Sequence, residues 1–323
     1  MQRFEYIDQL KGLCILLVVV GHLSLWSLNE GENPITSFVA LFHMQTFMFL
    51  SGLVISAAPG TSKLIEKLMK FMLPIVFVGS VYAYCTNIPL LCLWTDRMKL
   101  GYWYLFVLSV FYLILYLFRF TSSLSGKRGL LVDILILFGV MFVFSIFNLV
   151  LPHTIGSILS IDQIHFYWPY FFIGYLFRKY DLINSIASKN WFFTICLLLM
   201  IPCAYLNFVR VPHIWLVSSF PIVFVLLIVF KQTAQLRNRF GRELGRIGRK
   251  SLDVYIYHFF FLRCWGGYSF PEMGEWFVNT HNYFLQFLIT LTISIITAYF
   301  CILLGKLVRK SRLLNMVVYG AKC

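Results

Sequence analysis

The sequence predicts an all-α protein, a polytopic transmembrane helical bundle of about ten spans with both termini in the cytoplasm. Of its 323 residues, 60% are hydrophobic and only 12% are charged, whereas soluble domains carry about 25% charged residues. Apolar runs of membrane length recur along the whole chain. Positive charge is distributed unevenly between the segments that connect these runs. Together these observations favour a membrane protein.

Ten apolar segments are predicted to be helices. They lie near residues 10–28, 38–57, 71–90, 103–120, 130–151, 165–178, 191–208, 213–230, 251–265 and 283–305. The sixth and ninth segments are short for a membrane span. No connecting stretch is long and polar enough for a soluble domain, so we expect residues 1–323 to form a single transmembrane domain.

The distribution of lysine and arginine predicts the orientation. With the N-terminus inside, 23 of the 27 Lys and Arg residues fall in predicted cytoplasmic segments. The four that fall outside are Arg97, Lys99, Arg210 and Arg263. Positive-inside topology also explains the net charge of +14 without a nucleic-acid partner.

The cysteines and the N-terminus indicate neither a metal site nor a cleavable leader. The eight cysteines are scattered, without CxxC or other metal-ligand spacing. Glu5 and Asp8 precede the first apolar run, which contains His22 and is followed by no small-x-small site.

The first segment carries ionisable residues on one side. Lys11 and His22 are eleven positions apart, which is about three turns plus 20°, and Asp8 lies within roughly 60° of that side. His22 would lie about 16 Å beyond Lys11, past the middle of a hydrocarbon core of about 30 Å. A group at that depth faces protein or a wet cavity. His22 is therefore a candidate general base, or a structural histidine bonded to a neighbouring helix.

Two further histidines lie in apolar segments. His43 is predicted near the level of His22 on the next, antiparallel helix, where the two could share a site; it could instead cap the outer end of its helix. His258 lies about two turns into the ninth segment. It could be a functional residue of the site or a structural histidine.

Three other patterns suggest binding, each with a simpler alternative. Lys67 and Lys70 lie one turn apart before the third segment and could bind phosphate groups. Alternatively, they only reflect the enrichment of basic residues in cytoplasmic segments. Trp103 and Tyr104 begin the fourth segment and could stack on a sugar, or belong to an interfacial aromatic belt. The basic run from Arg237 to Lys250 could contact anionic lipid or a phosphate-bearing cofactor.

Several stretches resemble the acyltransferase-3 family of membrane acyltransferases, in order along nearly the whole chain. They are Asp8-x-x-Lys11-Gly12 with His22, Phe42-His43-Met44 with Phe47-x-Phe49-Leu50-Ser51-Gly52, Lys67-x-x-Lys70 before Pro74, Tyr102-Trp103-Tyr104-Leu105, Phe171-Phe172-Ile173-Gly174-Tyr175, and Gly248-x-x-Ser251-x-x-x-Tyr255-x-x-His258. The chain departs from the family where Lys67 and Lys70 replace an Arg-x-x-Arg pair and Gln45 replaces a proline.

The resemblance implies about ten helices and transfer of an acyl group, usually acetyl, from acyl-CoA to a carbohydrate hydroxyl. It assigns the essential basic residue and histidine to Lys11 and His22. No permanently bound cofactor is implied; acetyl-CoA is a co-substrate. The expected partners are acyl-CoA, a carbohydrate or glycolipid acceptor and membrane lipid, at a bacterial inner membrane.

Residues and resemblance together suggest a two-sided mechanism. The polyanionic donor would meet the basic cytoplasmic side, with Lys11, Asp8, Lys67 and Lys70, while the acceptor would enter from outside near His43, Trp103 and Tyr104. His22 would take the hydroxyl proton. Two other classes remain open, a transporter or flippase of a polar lipid-linked sugar and a non-catalytic receptor or scaffold. Release of free CoA would distinguish the enzyme from both.

Overall fold

The computed structural model describes residues 4–27, 34–120, 126–209, 217–234, 238–262 and 282–321, with isolated residues between these ranges. The described chain is all-helical, with 85% of residues in helices and no strands. This confirms the predicted fold class.

Helices occupy all ten predicted segments within the described ranges. Six of them are long and apolar enough to cross a membrane. They are Glu5–Leu25, Pro34–Leu53, Thr61–Cys85, Gly129–Val150, Asn190–Asn207 and Tyr283–Lys310. Shorter apolar helices cover Trp103–Leu117, Phe220–Thr233 and Ser251–Leu262. The count of ten spans and the cytoplasmic placement of both termini stay predictions.

The chain divides into two compact units. The first unit comprises Met1–Leu50 and Asp181–Lys306, and the second Ser51–Tyr180 and Leu307–Cys323. The single transmembrane domain expected from the sequence stays a prediction.

The first unit is built around its N-terminal helix. Its elements are α1 (Glu5–His22), a π-helical turn (Leu23–Ser27), α2 (Pro34–Ala40), α3 (His43–Leu53, through Leu50), α10 (Leu182–Ser185), α11 (Asn190–Phe208), α12 (Phe220–Thr233), α13 (Arg239–Arg249), α14 (Ser251–Leu262) and α15 (Tyr283–Lys310, through Lys306). Helix α1 packs against α2, α12, α13 and α14. Residues from Cys14 to Val20 are buried, so the apolar run of α1 is the centre of this unit.

The second unit contains the remaining helices. They are α4 (Thr61–Cys85), α5 (Cys92–Thr95), a 3₁₀ turn (Lys99–Gly101), α6 (Trp103–Leu117), α7 (Gly126–Val150), α8 (His153–Leu159), α9 (Ile161–Lys179) and α16 (Arg312–Tyr319). Helix α4 packs on α6 and α16, and α9 packs on α6 and α7. An ion pair between Asp133 and Lys179, 2.6 Å long and shielded from solvent, joins α7 to α9.

Two helix boundaries differ from the sequence prediction. Helix α4 begins at Thr61, ten residues before the predicted start, and an i,i+4 ion pair between Glu66 and Lys70 lies within this extension. Lys67 and Lys70 therefore lie inside this helix rather than before it. The predicted segment 38–57 is interrupted by a turn at Leu41 and Phe42, so His43 is the first residue of α3.

Candidate active site

Helix α1 carries Lys11 and His22 on one continuous stretch. The helix runs from Glu5 to His22, and eleven residues at 100° each bring both side chains to nearly the same side. The residues between them are almost all buried, whereas Asp8, Lys11 and His22 keep part of their surface accessible. The structure thus places Asp8, Lys11 and His22 on one unbroken helix.

His22 contacts a second histidine of the first unit. Its ring stacks on that of His258 from α14, with ring centres 5.4 Å apart and planes inclined by 23°. Phe259 adds a tilted contact at 5.3 Å. His22 also interacts electrostatically with His43. Three histidines that are widely separated in the sequence, on α1, α3 and α14, therefore lie near one another.

The hydrogen bonds of His258 determine which nitrogen carries its proton. Nδ1 lies 3.0 Å from the carbonyl oxygen of Val254 and 2.8 Å from that of Tyr255. A carbonyl oxygen only accepts, so Nδ1 is the protonated donor and Nε2 of the neutral ring is an acceptor. His258 is 0% exposed, and its Nε2 has no hydrogen-bond partner among the described residues. A buried acceptor without a partner is costly, and this one belongs to the ring that stacks on His22.

His43 has the same tautomer for the same reason. Its Nδ1 lies 2.8 Å from the carbonyl oxygen of Val39, in the last turn of α2. The interruption between α2 and α3 places this carbonyl within reach. Nε2 of the neutral ring is then a proton acceptor, and the side chain is only partly buried. His43 therefore presents a second acceptor to the cluster that His22 and His258 begin.

No group of three or more His, Cys, Asp or Glu side chains in the described ranges has the arrangement needed to hold a metal ion. The three histidines are stacked or bonded to backbone carbonyls rather than converging on one point. A neutral imidazole can accept a proton at one nitrogen and donate one from the other.

The position of α1 is set by direct backbone contact with α13. A side chain on Gly12 would overlap the carbonyl group of Leu244, and one on Gly248 would overlap the carbonyl group of Asp8. Two glycines thus let the helices approach more closely than any other residue would permit. The crossing lies directly beside Lys11. Sequence analysis missed it, although the glycines in the basic run were its signal.

Lys67 and Lys70, the predicted donor-binding pair, belong to the second unit. Lys70 forms an ion pair of 2.7 Å with Glu66, and the ammonium group of Lys67 lies 5.9 Å from the ring centre of Tyr112. Each lysine thus has a structural partner, and their role toward a donor stays a prediction.

Trp103 and Tyr104, the predicted acceptor-binding pair, are buried in the second unit, each 6% exposed. Trp103 stacks on Tyr167, with ring centres 4.8 Å apart. The hydroxyl of Tyr104 is hydrogen-bonded to Ser51 at 2.8 Å. The second unit thus covers one face of Trp103, and sugar binding by this pair stays a prediction.

A buried lysine just before Trp103 holds the preceding loop. The ammonium group of Lys99 donates to the carbonyl oxygens of Trp94, Asp96 and Ser157 at 3.0, 2.8 and 2.9 Å. Burial lowers the pKa of Lys99 from 10.5 to about 8. Because this pKa is still above neutral pH, the ammonium group stays mostly charged and can donate to all three carbonyl oxygens. The sequence identified Lys99 only as a basic residue on the predicted outer side. Its binding to three backbone carbonyl oxygens depends on the fold and produces no sequence motif.

Comparison with known families identifies the family of the chain. The acyltransferase-3 family model, described as an acyltransferase domain, matches residues 4–304. No curated protein and no solved structure matches the chain significantly. The matched range contains α1 with Lys11 and His22, and all three histidines of the cluster. Since the match extends over nearly the whole chain, the protein belongs to the acyltransferase-3 family.

Proposed function

We propose that this integral membrane acyltransferase moves an acyl group such as acetyl from cytoplasmic acyl-CoA to a hydroxyl of a carbohydrate or lipid-linked glycan. The acceptor is a unit of a cell-surface polysaccharide, and the membrane is the bacterial inner membrane. One observation carries the proposal: His22, on the helix that bears Lys11, stacks on a histidine whose free nitrogen is a buried acceptor.

The histidine cluster supplies the proton transfer that the reaction needs. The acceptor hydroxyl loses its proton to His22 as its oxygen attacks the thioester carbonyl carbon. The carbon–sulfur bond then breaks, and the proton returns to the leaving thiolate of CoA. The products are the ester and free CoA, so neither a metal nor a redox partner enters this balance.

His258 serves as the partner of His22 in this step. Two stacked imidazolium rings would repel each other, so the pair holds one positive charge more readily than two. The fixed Nδ1–H of His258 leaves Nε2 able to accept a hydrogen bond from the hydroxyl or from a bridging water. His43 provides a further acceptor for the incoming alcohol.

The remaining predicted residues bind the two substrates. Lys11, with Asp8 beside it, holds the phosphate-rich part of the donor near the cytoplasmic end of α1. Lys67 and Lys70 add donor contacts as point charges, without the bidentate fork of arginine. Trp103 and Tyr104 contact the acceptor. No cofactor is bound permanently.

The decisive test is acyl transfer by the purified protein. The wild-type protein in lipid nanodiscs should release free CoA from acetyl-CoA in the presence of a polysaccharide acceptor, and the acceptor should gain an ester. His22→Ala is the matched inactive variant. A protein that moves a lipid-linked sugar across vesicles without releasing CoA would instead be the transporter of the alternative hypothesis.

A further inference from the structure

Helix α13 has two opposite faces of different chemistry. Leu244, Gly245, Ile247 and Gly248 are buried. Exposed arginines follow one another at spacings of three, four and three residues: Arg239, Arg242, Arg246 and Arg249. At 100° per residue they fall within an arc of about 80°, on the side opposite the buried residues. The arginines therefore form a single outward row, which we call the arginine face.

The contact of α13 with α1 fixes the level of this face in the membrane. Gly248 meets the backbone of Asp8, and Gly12 meets that of Leu244. The apolar run of α1 begins immediately afterwards, at Leu13. Helix α13 therefore lies beside α1 where that helix enters the hydrocarbon. Its arginine face points away from the first unit at the level of the lipid headgroups.

Basic residues outnumber acidic ones within α13 itself. Arg246 pairs with Glu243 at 3.0 Å, and the same carboxylate oxygen accepts a hydrogen bond of 2.8 Å from Tyr299 of α15. Helix α13 thus contains four arginines and this one acidic residue. Phe240, 69% exposed, projects from the first turn of the same helix, as an aromatic side chain does at a membrane interface.

We propose that the arginine face of α13 binds the phosphate groups of anionic phospholipids in the leaflet that α1 enters. Guanidinium groups bind phosphate oxygens in pairs, and basic residues at this level attract acidic headgroups. Because α13 touches the backbone of α1 next to Lys11, bound lipid also holds the entrance of α1 in position. The proposal concerns lipid and does not depend on the identity of the transferred group.

The experiment measures lipid retention rather than catalysis. Wild-type protein and the variant Arg242→Gln/Arg246→Gln/Arg249→Gln are reconstituted in phosphatidylcholine with about one-third phosphatidylglycerol. They are then released into mild detergent and weighed by native mass spectrometry. The Gln variant should retain at least about fivefold less phosphatidylglycerol, with unchanged phosphatidylcholine. The triple Arg→Lys variant should retain an intermediate amount, since lysine keeps the charge but loses the fork.

A second triple variant provides the matched control. Lys306→Gln/Lys310→Gln/Arg312→Gln removes the same charge from exposed residues at the end of α15 and the start of α16, and it should retain phosphatidylglycerol almost as wild type does. Thermal melting of each variant reports whether it is folded; if the Gln triple fails to fold, the single variants Arg242→Gln and Arg249→Gln should each give a partial loss.

Three results would overturn the proposal. Equal phosphatidylglycerol retention in wild type and the folded Gln variants would show that the arginine face binds no lipid. An equal loss in the α15–α16 control would attribute retention to net charge alone. Displacement of phosphatidylglycerol by soluble coenzyme A, together with weaker coenzyme A binding by the Gln variant, would assign the arginine face to a polyphosphate instead.

Discussion

The imidazole of His258 lies over that of His22, with ring centres 5.4 Å apart and planes 23° from parallel. One ring comes from the first helix of the chain and the other from α14, 236 positions later in the sequence. Because the Nδ1–H of His258 is held by backbone carbonyls, the stack presents its basic nitrogens in a defined arrangement. In the proposed mechanism, a proton on one ring would therefore disfavour a proton on the other.

Replacing His258 with phenylalanine should separate activity from stability. The aromatic ring still packs against His22 and Phe259, but the acceptor nitrogen is gone. We expect acyl transfer to fall by about 10²-fold or more. The melting temperature should stay equal or rise, because an unpaired buried nitrogen costs about 1–3 kcal/mol. Transfer rates and thermal melting of one preparation measure both, and a fully active His258→Phe protein would remove His258 from the mechanism.

The variant His22→Ala should lose acyl transfer while its abundance and membrane insertion stay normal. Loss of general-base assistance typically costs about 10²–10⁴ in rate, or roughly 3–5 kcal/mol of barrier. His153→Ala is the matched control, because His153 is exposed at the start of α8. Near wild-type turnover of the His22 variant would contradict the assignment of the base.

Lys11→Ala should impair use of the donor more than use of the acceptor. Lys11 lies about 16 Å from His22 along α1, at the predicted cytoplasmic end, where donor phosphate would approach. Initial rates with each substrate varied in turn should show a raised KM for acyl-CoA and a smaller change for the acceptor. Lys11→Arg keeps the charge and should retain most donor binding. An effect confined to the acceptor would argue against the two-sided arrangement.

The contact between α1 and α13 predicts a large difference between two Gly→Ala substitutions. A methyl group on Gly248 overlaps the carbonyl of Asp8, whereas one on Gly139 in α7 meets nothing within 4 Å. Gly248→Ala should destabilise the protein by about 1–3 kcal/mol. Gly139→Ala should be neutral or stabilising by up to about 1 kcal/mol, since alanine favours helix. Thermal melting in detergent compares them, and equal melting temperatures would mean that α1 and α13 separate at little cost.

The predicted orientation can be tested by cysteine accessibility. A cysteine at Asn33 should react with a membrane-impermeant thiol reagent in intact cells, and one at Gln235 only after the inner membrane is opened. Both positions lie outside the described residues, so this prediction derives from the distribution of Lys and Arg alone. Native cysteines are first replaced, Cys92 and Cys264 being the main sources of outer background. Labelling of Gln235 from outside would contradict the cytoplasmic donor side.

Sequence reasoning located the helices well because membrane helices are predicted by composition. An apolar run of membrane length has few other stable forms in lipid, so all ten predicted segments contain helix. Boundaries were less predictable, since they depend on particular contacts. Helix α4 begins ten residues before its predicted apolar segment, and the turn before His43 divides one predicted segment in two.

The site was predictable where periodicity along one helix sufficed. The shared side of Lys11 and His22 follows from eleven residues of regular helix, whereas the stacking of His258 on His22 depends on how α14 packs, which no local pattern contains. The role of Gly12 and Gly248 depends on two helices at once. Lys99 is recognisable only after its three carbonyl partners are assembled.

The π-helical turn from Leu23 to Ser27 follows His22 directly. Such a turn accommodates one residue more than an α-helical turn, as if a residue had been inserted just past the histidine. Deleting one residue there would let the α-helix continue with the side chains beyond the turn facing nearly as before, because the π-helical turn takes up the extra residue within a single turn. Lys11 and His22 precede the turn and would keep their alignment. The helix can therefore tolerate a one-residue insertion or deletion just past its histidine, while the spacing between Lys11 and His22 stays fixed.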